Sequence, residues 1–408
     1  MEPNETKPPA LIFGGGINGL GIMRNLARER ITVYLVVDRP DRAYYSKYCK
    51  KTFLLPDFTR RPDSVKSFLS RLDLSSPNRP IVFSTDDRTT LTLSALRNEI
   101  ANRYNFVGPD LPCANTLVLK NKFYESLNKC PIQYPKVLTP RALRDLSQAG
   151  EQLGYPILVR PIMSQTFSDV MGSKGFLASS ERDLISYCQI AGKGGLDVIL
   201  QEFIPGPVSN ILSVAGCFDG YSRPLALFAY RRLREWPPMI ATSCLAESVP
   251  LAPFRNVVDP LLKYLTDIGY RGIMQATFKR DPRDGVYKLL EVNARSWRYN
   301  SFPTKCGLNI VWKAYLDSVG LDDSYTEEYS VGVKWINVLE DLVAAFTTHQ
   351  VMKQYWIRSI LGVRDYAFFD PNDPGPMVMG LPFNLGLLDR EQGPLRPANL
   401  RRMLRQLP

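Results

Sequence analysis

The sequence has 408 residues, more than one ordinary hydrophobic core holds, so we expect two or three domains. Hydrophobic residues make up 45% and charged residues 22%, a balance typical of globular proteins that argues against disorder. The net charge of +11 indicates an anionic partner, and because the basic residues are scattered without interleaved aromatic residues, we favour a phosphate-bearing small molecule over nucleic acid.

The cysteines and the one histidine argue against several kinds of metal and disulfide site. Seven cysteines without a C-x-x-C spacing argue against a disulfide framework or a zinc module, and they favour a reduced, cytoplasmic protein. His349 is the sole histidine, which excludes metal sites built on several histidines, and we expect it to be structural. The first ten residues lack the features of a signal peptide, and no apolar window is long enough to span a membrane.

Residues 9–113 alternate between strand and helix patterns. ALIFGG, ITVYLVVD and PIVFST are apolar enough for buried strands, and PDSVKSFLSRL and TLTLSALRNEI have the spacing of helices. This order predicts an α/β domain with a parallel, Rossmann-like sheet. A segment with glycine and two prolines, residues 106–116, marks its boundary.

The first predicted strand ends in the glycine-rich segment GGGINGLG. Gly14, Gly16 and Gly19 fit G-x-G-x-x-G, and Asp38 follows at about the distance of a ribose-binding carboxylate. The motif therefore suggests an NAD-dependent oxidoreductase. Glycines at a strand-to-helix turn also permit close packing in any βαβ unit, so we expect these three to be architectural and keep the oxidoreductase as an alternative.

Residues 272–295 have the pattern of a hairpin whose second strand ends in polar residues. DPRDG supplies the turn, and YKLLEVNAR carries Glu291 and Asn293 at i and i+2, so both side chains should point to one face. Two oxygen ligands on one face suit Mg²⁺, which is usually bound jointly with substrate phosphates. Arg295 continues this face and is suited to hold a carboxylate or phosphoryl group.

Five segments follow one another in chain order: KNKFYESL, GYPILVRP, MGSKGF, LQEFIPG and the hairpin that ends in EVNAR. Together they resemble the ATP-grasp superfamily over about residues 10–320, in particular its carboxylate–amine ligases, including D-aspartate ligase-like proteins. Carbamoyl-phosphate synthetase and biotin carboxylase are more distant relatives. The resemblance implies a Rossmann-like pre-ATP-grasp domain at 9–113, a two-lobed α+β ATP-grasp domain at 114–320 with a mobile lid at about 155–205, and a C-terminal extension at 321–408.

The same resemblance implies ATP and Mg²⁺ as cofactors and assigns residues to each. On the phosphate side it places Lys122, Arg160 and Lys174, the last in a loop at 162–176 that closes over the phosphates. The metal ligands would be Glu291 and Asn293. The adenine and ribose side would be formed by Gln201, Glu202, Phe203, Ile204 and Ser209, the last standing where relatives often have an acidic ribose-binding residue.

The hairpin departs from the family pattern in its first strand. Relatives place an acidic or amide residue fourteen positions before the EVNAR glutamate as another metal ligand, and this chain has Thr277 there. Gln275 lies on the same predicted face and is a substitute ligand, directly or through water, whereas Asp281 belongs to the turn. The departure leaves open whether catalysis is slowed, altered or lost.

The substrate side is also assigned by resemblance. YRRLREWPP is similar to a family stretch in which a basic residue faces the acyl phosphate, and its candidates are Arg231, Arg232 and Arg234. The segment 294–309 resembles the acceptor-side loop, with Trp297 and Arg298 as contacts. We take Arg295, Arg232 and Lys174 as the catalytic set.

These assignments predict an ATP-dependent ligase that activates a carboxylate as an acyl phosphate and joins it to an amine. Its partners would be a small-molecule carboxylate and an amine, and a homo-oligomer stays open. The alternatives are an ATP-dependent carboxylase or carbamoylating enzyme, which would share the nucleotide site, and a nucleotide-binding protein with reduced catalysis, which the threonine at 277 would explain.

Overall fold

Three β-sheets organise the part of the chain that the computed structural model describes, which is residues 7–74, 76–140, 143–163, 165, 169, 173–236, 242–321, 324–347 and 353–380. The predicted structural residue His349 lies outside these residues. Within them, no helix combines the length and the apolar character needed to cross a membrane.

The first sheet is parallel and has five strands in the order β3-β2-β1-β4-β5. The strands are β1 (Ala10–Phe13), β2 (Val33–Val37), β3 (Cys49–Leu54), β4 (Ile81–Ser84) and β5 (Asn105–Phe106). The intervening helices are α1 (Gly16–Arg28), α2 (Pro62–Arg71) and α3 (Asp87–Ile100). Both β1 and β4 are wholly buried, which explains their uninterrupted apolar runs and agrees with the predicted βαβ pattern.

The glycine turn after β1 is packed too closely for larger residues. Gly14 has φ +95°, and a Cβ on it would lie 1.9 Å from Thr85 Oγ1. A Cβ on Gly19 would lie 2.3 Å from the carbonyl oxygen of Gly14. At the start of α1, the backbone N–H of Gly16 donates to the Asp41 carboxylate at 2.7 Å. The protein's own carboxylate therefore takes the helix N-terminal position at which a dinucleotide phosphate would bind, which disfavours the oxidoreductase alternative.

The second sheet is antiparallel, in the order β6-β9-β7-β8. Two helices, α4 (Leu111–Val118) and α5 (Lys120–Leu127), lead into it from the first sheet. Its strands are β6 (Val137–Leu138), β7 (Ile157–Pro161), β8 (Phe176–Ala178) and β9 (Val198–Glu202). Helices α6 (Leu143–Leu153) and α7 (Glu181–Lys193) connect these strands, and residues of both helices share one hydrophobic cluster with the strands.

The third sheet has seven strands, in the order β14-β13-β10-β11-β12-β15-β16. The strands are β10 (Ile211–Phe218), β11 (Pro224–Trp236), β12 (Thr242–Ser248), β13 (Gly272–Arg280), β14 (Tyr287–Asn293), β15 (Lys334–Ile336) and β16 (Val363–Tyr366). The accompanying helices are α8 (Arg255–Asp267), α9 (Ser301–Lys305), α10 (Ile310–Ser318), α11 (Val338–Thr347), α12 (Trp356–Ser359) and α13 (Gly375–Val378). Because β15 and β16 extend this sheet, this described part of the predicted C-terminal extension is continuous with it.

A shared core joins the first sheet to the third. Leu20 and Met23 of α1 belong to the same buried cluster as Phe228 of β11 and Tyr315 of α10. Beside this core, the Asn18 side chain donates to the carbonyl of Ser296 at 2.8 Å. The glycine turn is therefore fixed against the loop that follows β14, the strand with the predicted metal ligands.

A buried ion pair attaches α11 to the third sheet. Arg234 of β11 binds Asp341 through two parallel hydrogen bonds of 2.8 Å, and both side chains are almost fully buried. Arg231 on the same strand is exposed. Breaking a buried ion pair leaves one charge without compensation, which is strongly destabilising.

We expect Arg234→Met to lower the free energy of unfolding by about 3–5 kcal/mol, because Asp341 would stay buried without its cation. The matched variant Arg231→Met removes an equal charge from an exposed site and should change it by less than about 0.5 kcal/mol. Urea unfolding followed by circular dichroism measures both values, and equal stability of the two variants would contradict this role of the pair.

Candidate active site

A cleft of about 610 Å³ lies between the second and the third sheet. Its walls combine strands β7 and β9 of the second sheet with β11, β13 and β14 of the third, and the loop before α3 closes one end. Many of the residues predicted to bind ATP, metal or substrate line this cleft, although they are spread over more than 130 positions of the sequence. These are Arg160, Lys174, Gln201, Phe203, Ile204, Arg232, Glu291, Asn293, Arg295, Trp297 and Arg298.

The register of the β13–β14 hairpin fixes the polar residues at its centre. Glu291 pairs with Thr277, and Asn293 pairs with Gln275. All four residues line the cleft, so the two-residue spacing does place Glu291 and Asn293 on one face. The threonine hydroxyl therefore lies beside the glutamate carboxylate, at the position where relatives carry another metal ligand.

The Glu291 carboxylate is held by positive side chains. Its Oε2 atom lies 3.2 Å from an Arg160 guanidinium nitrogen and 3.7 Å from Lys120 Nζ. Burial alone would raise the pKa of this carboxyl group, but nearby cations outweigh burial and lower the pKa to about 2. These cations are Lys120, Arg160, Arg232 and Lys174. The glutamate is thus ionised at any physiological pH, and the positive charge around it exceeds its own.

The lysine that α5 contributes to the cleft is Lys120, which corrects the prediction for Lys122. Lys120 is 7% exposed and lines the cleft, whereas Lys122 is exposed and lies outside it. Two positions of an α-helix differ by about 200° in direction, so only one of the two can face the site. The start of α5 is also tied to the second sheet, because Lys120 N donates to the carbonyl of Ile162 at 3.1 Å. Burial and the charge of Arg160 lower the pKa of Lys120 to about 8.

A chain of hydrogen bonds orients the other polar residues. Arg295 donates to Asp87 at 2.7 Å and to Asn293 Oδ1 at 3.2 Å. Asn293 in turn donates to Gln275 Oε1 at 2.8 Å, and Gln275 donates to Thr277 Oγ1 at 2.9 Å. These bonds fix which side of each amide carries its oxygen and point the Arg295 guanidinium toward Asp87 at the start of α3.

The donor set around Glu291 fits a magnesium ion only together with phosphates. The described residues contain no cluster of three or more His, Cys, Asp or Glu side chains able to hold a metal. Glu291 and Asn293 nevertheless offer one carboxylate and one amide oxygen, and Mg²⁺ is often held by one or two carboxylates plus substrate phosphates. The surrounding cations would repel an isolated divalent ion.

Only some of the residues predicted for the adenine side line the cleft. Gln201, Phe203 and Ile204 line the cleft, and Gln201 Oε1 accepts hydrogen bonds from Arg160 and Tyr124. The Glu202 side chain points to the opposite face of β9, as strand alternation requires, and is bound to Arg283 and to the backbone N–H of residue 136. Glu202 is therefore corrected from an adenine-reading carboxylate to a structural one.

Ser209 also falls outside the site. It is exposed in a short turn, and the neighbouring Val208 lines the cleft in its place. Opposite this turn, the ammonium group of Lys279 lies 5.3 Å from the centre of the Phe203 ring. The prediction that Ser209 contacts the ribose is thus corrected. The Lys279–Phe203 pair borders that end of the cleft instead.

Among the three arginines of β11, only Arg232 lines the cleft. A bulge at Arg232–Arg234 interrupts the pairing with β12, and Arg234 turns to the buried aspartate of α11. Arg231 is exposed. On the acceptor side, Trp297 and Arg298 both line the cleft, and Arg298 binds Glu340 at 2.6 Å.

Besides Lys120, sequence reasoning missed other polar residues of the cleft, among them Lys279, Asp87 and Asn18. Lys279 continues the two-residue alternation of Gln275 and Thr277 along β13, so strand periodicity was a signal that could have found it. Asp87 and Asn18 come from the first sheet region, and only the folded chain brings them to the cleft.

Comparisons with known proteins show which proteins the chain resembles in fold and in sequence. No family model matches the chain. In three dimensions, the chain superimposes with a TM-score of 0.63 on the biotin carboxylase domain of Hydrogenobacter thermophilus 2-oxoglutarate carboxylase. That domain was solved with magnesium ADP and bicarbonate. The match covers 81% of this chain and 74% of that one, at 13% identity. At this identity the likeness shows a shared fold, which agrees with the resemblance to ATP-grasp proteins seen in the sequence.

The chain is also similar in sequence to two enzymes. The chain is 26% identical over 316 residues to D-aspartate ligase of Enterococcus faecium, and the match covers 74% of each protein. It is also 24% identical over 218 residues to the carbamoyl phosphate synthase large chain of Methanobrevibacter smithii. This alignment covers 49% of this chain. The aligned part is only 19% of that synthase's length.

We expect Lys120→Met to raise the Kd for Mg·ATP by about tenfold or more, because a buried charge-assisted contact to phosphate would be lost. Lys122→Met is the matched control, and its Kd should stay within about twofold of wild type. Equilibrium titration with ATP measures both. A larger effect at position 122 than at position 120 would contradict the placement of Lys120.

Nucleotide affinity should also fall as the pH rises from 7 to 9. Lys120 is protonated below a pKa of about 8 and loses its charge above it, whereas Glu291 stays ionised throughout. The Kd for ATP measured across this range should therefore increase above pH 8, by at most about tenfold per pH unit. Lys120→Met should remove most of this dependence, and an unchanged pH profile in that variant would assign the titration to another group.

Proposed function

We propose that the chain is an ATP-dependent ligase that activates a carboxylate as an acyl phosphate and joins it to an amine. The observation that carries this proposal is the ionised Glu291 carboxylate set among cations in a cleft between two sheets. That arrangement suits a polyphosphate with its magnesium ion better than a neutral ligand. The similarity to D-aspartate ligase supports a carboxylate and an amine as the joined groups.

The proposed reaction has two steps. An oxygen of the substrate carboxylate attacks the γ-phosphorus of ATP, and ADP leaves, which gives an acyl phosphate. The amine nitrogen then attacks the acyl carbon, inorganic phosphate leaves, and the nitrogen loses a proton as the amide bond forms. Phosphoryl transfer depends on positioning and charge neutralisation more than on an acid–base side chain, which agrees with the scarcity of histidine in this sequence.

The cleft residues form two groups, one that would bind ATP and one that would bind the substrate. Lys120, Arg160 and Lys174 would hold the phosphates, and Gln201, Phe203 and Ile204 would border the adenine. Arg232 and Arg295, further along the same cleft, would hold the substrate carboxylate and the acyl phosphate formed from it. Magnesium, when bound between the phosphates, Glu291 and Asn293, would neutralise the charge on the transferred group.

One observation favours a second candidate. Because Thr277 pairs with Glu291, this part of the hairpin has a single carboxylate where relatives pair it with another metal ligand. A protein with this change would bind nucleotide with reduced catalysis. The fold neighbour solved with bicarbonate adds ATP-dependent carboxylation as a further outcome for the assay to distinguish.

Glu291→Gln should reduce Mg²⁺-dependent turnover by more than about tenfold while the fold stays intact, because the carboxylate that shares the metal with phosphate would be lost. The exposed Glu125→Gln on α5 is the matched control and should keep full activity. Release of phosphate from ATP is the measurement, with pooled amino acids in one series and bicarbonate in another.

The outcomes of this assay separate the candidates. Amino-acid-dependent phosphate release that Glu291→Gln abolishes supports the ligase, and release that needs bicarbonate alone identifies a carboxylase. Binding of ATP without turnover in any series favours the protein of reduced catalysis. Unchanged turnover in Glu291→Gln would remove residue 291 from the site.

A further inference from the structure

A second cavity, remote from the cleft, is lined by three arginines. It has a volume of about 200 Å³ and lies where β5 and the end of α3 meet the start of β13 and the end of α10. It shares no lining residue with the cleft described above. The arginines are Arg79, Arg97 and Arg271, which come from three separate parts of the chain.

Among the described residues, no salt bridge joins these arginines to a carboxylate. Within the described part of the chain, Arg271 makes no side-chain hydrogen bond or ion pair, and the buried Nε of Arg97 has no hydrogen-bond partner. The other bonds of Arg97 and Arg79 go to backbone carbonyls, those of Gly108 and Ala101 among them. The positive charge of this cavity is therefore not neutralised by ion pairs.

The two inner guanidinium groups repel one another. Burial together with the charge of Arg271 lowers the pKa of Arg97 to about 10. The one acidic residue that lines the cavity is Asp317, whose own pKa is raised to about 6 by burial and by the nearby Asp219. Asp219 is already bound to Arg223 at 2.6 Å. An external anion would relieve this repulsion.

The walls of the cavity are closely packed and partly apolar. Gly272 has φ +92°, and a Cβ on it would lie 2.8 Å from the backbone of Gly108, so β13 and the segment after β5 are in direct contact there. The rings of Phe106 and Phe218 border the same space. A preformed pocket loses little ordering entropy on binding, and the rings suit the organic part of a small ligand.

We propose that this cavity is a binding site for a small phosphate-bearing anion, with the phosphate between Arg97 and Arg271 and Arg79 at the rim. Guanidinium groups bind phosphate oxygens through paired, charge-assisted hydrogen bonds, and several of them match the double charge of a phosphate group better than the single charge of a carboxylate. The site is separate from the nucleotide cleft and does not depend on the proposed ligase activity.

Isothermal titration of the full chain with inorganic phosphate tests this site. Because phosphate would also enter the nucleotide cleft, the titration is run on wild type, on Arg271→Met and on the cleft variant Arg160→Met. We expect Arg271→Met to weaken one class of phosphate binding by about tenfold or more and Arg160→Met to leave that class unchanged. Arg182→Met, an exposed site on α7, controls for the loss of one positive charge.

Two further measurements separate a loss of phosphate binding from a loss of folding. Thermal unfolding followed by circular dichroism shows whether Arg271→Met still folds, and Arg79→Met at the exposed rim should weaken the same class of binding without touching the interior. Wild-type phosphate binding in both variants, or complete loss of phosphate binding in Arg160→Met, would overturn the proposal.

Discussion

The contact between the Glu291 carboxylate and the cations around it is the interaction on which the site depends. Arg160 comes from the second sheet, Lys120 from the helix that leads into it, and Glu291 from the third sheet, so one carboxylate links both walls of the cleft. Like charges brought together in a partly buried space repel strongly unless an opposite charge lies between them. Glu291 supplies that charge in the protein alone, but it offsets only part of the positive charge around it.

The remaining positive charge explains why this cleft suits a nucleotide. Triphosphate and a substrate carboxylate would complete the neutralisation that Glu291 begins, and a magnesium ion would enter with them because it gains phosphate oxygens in place of missing protein ligands. Part of the net positive charge of the chain thus lies in the cleft, and another part lies in the arginine cavity at the start of β13. The hairpin register places Thr277 opposite Glu291, and the proposed catalysis depends on how this departure affects the metal site.

Local periodicity predicted much of this arrangement from the sequence alone. Alternating strands and helices predicted the parallel sheet, and the spacing of Glu291 and Asn293 predicted their common face. The errors came from features that short segments do not contain. Choosing between lysines two positions apart needs the rotation of the helix, and the fate of Arg234 depends on an aspartate 107 residues away. Glu202 was misplaced because its role was transferred from a motif, whereas strand alternation gives its side chain the opposite face from Gln201.

Thermal unfolding with different nucleotides tests most directly whether this cleft is a magnesium-nucleotide site. A ligand that binds only the native state raises the melting temperature, and the rise grows with the logarithm of the ligand concentration once this exceeds Kd. We predict that Mg·ATP and Mg·ADP raise the melting temperature, that excess EDTA reduces this rise, and that NAD has no effect. Stabilisation by NAD, with none by either magnesium nucleotide, would contradict the assignment of the cleft.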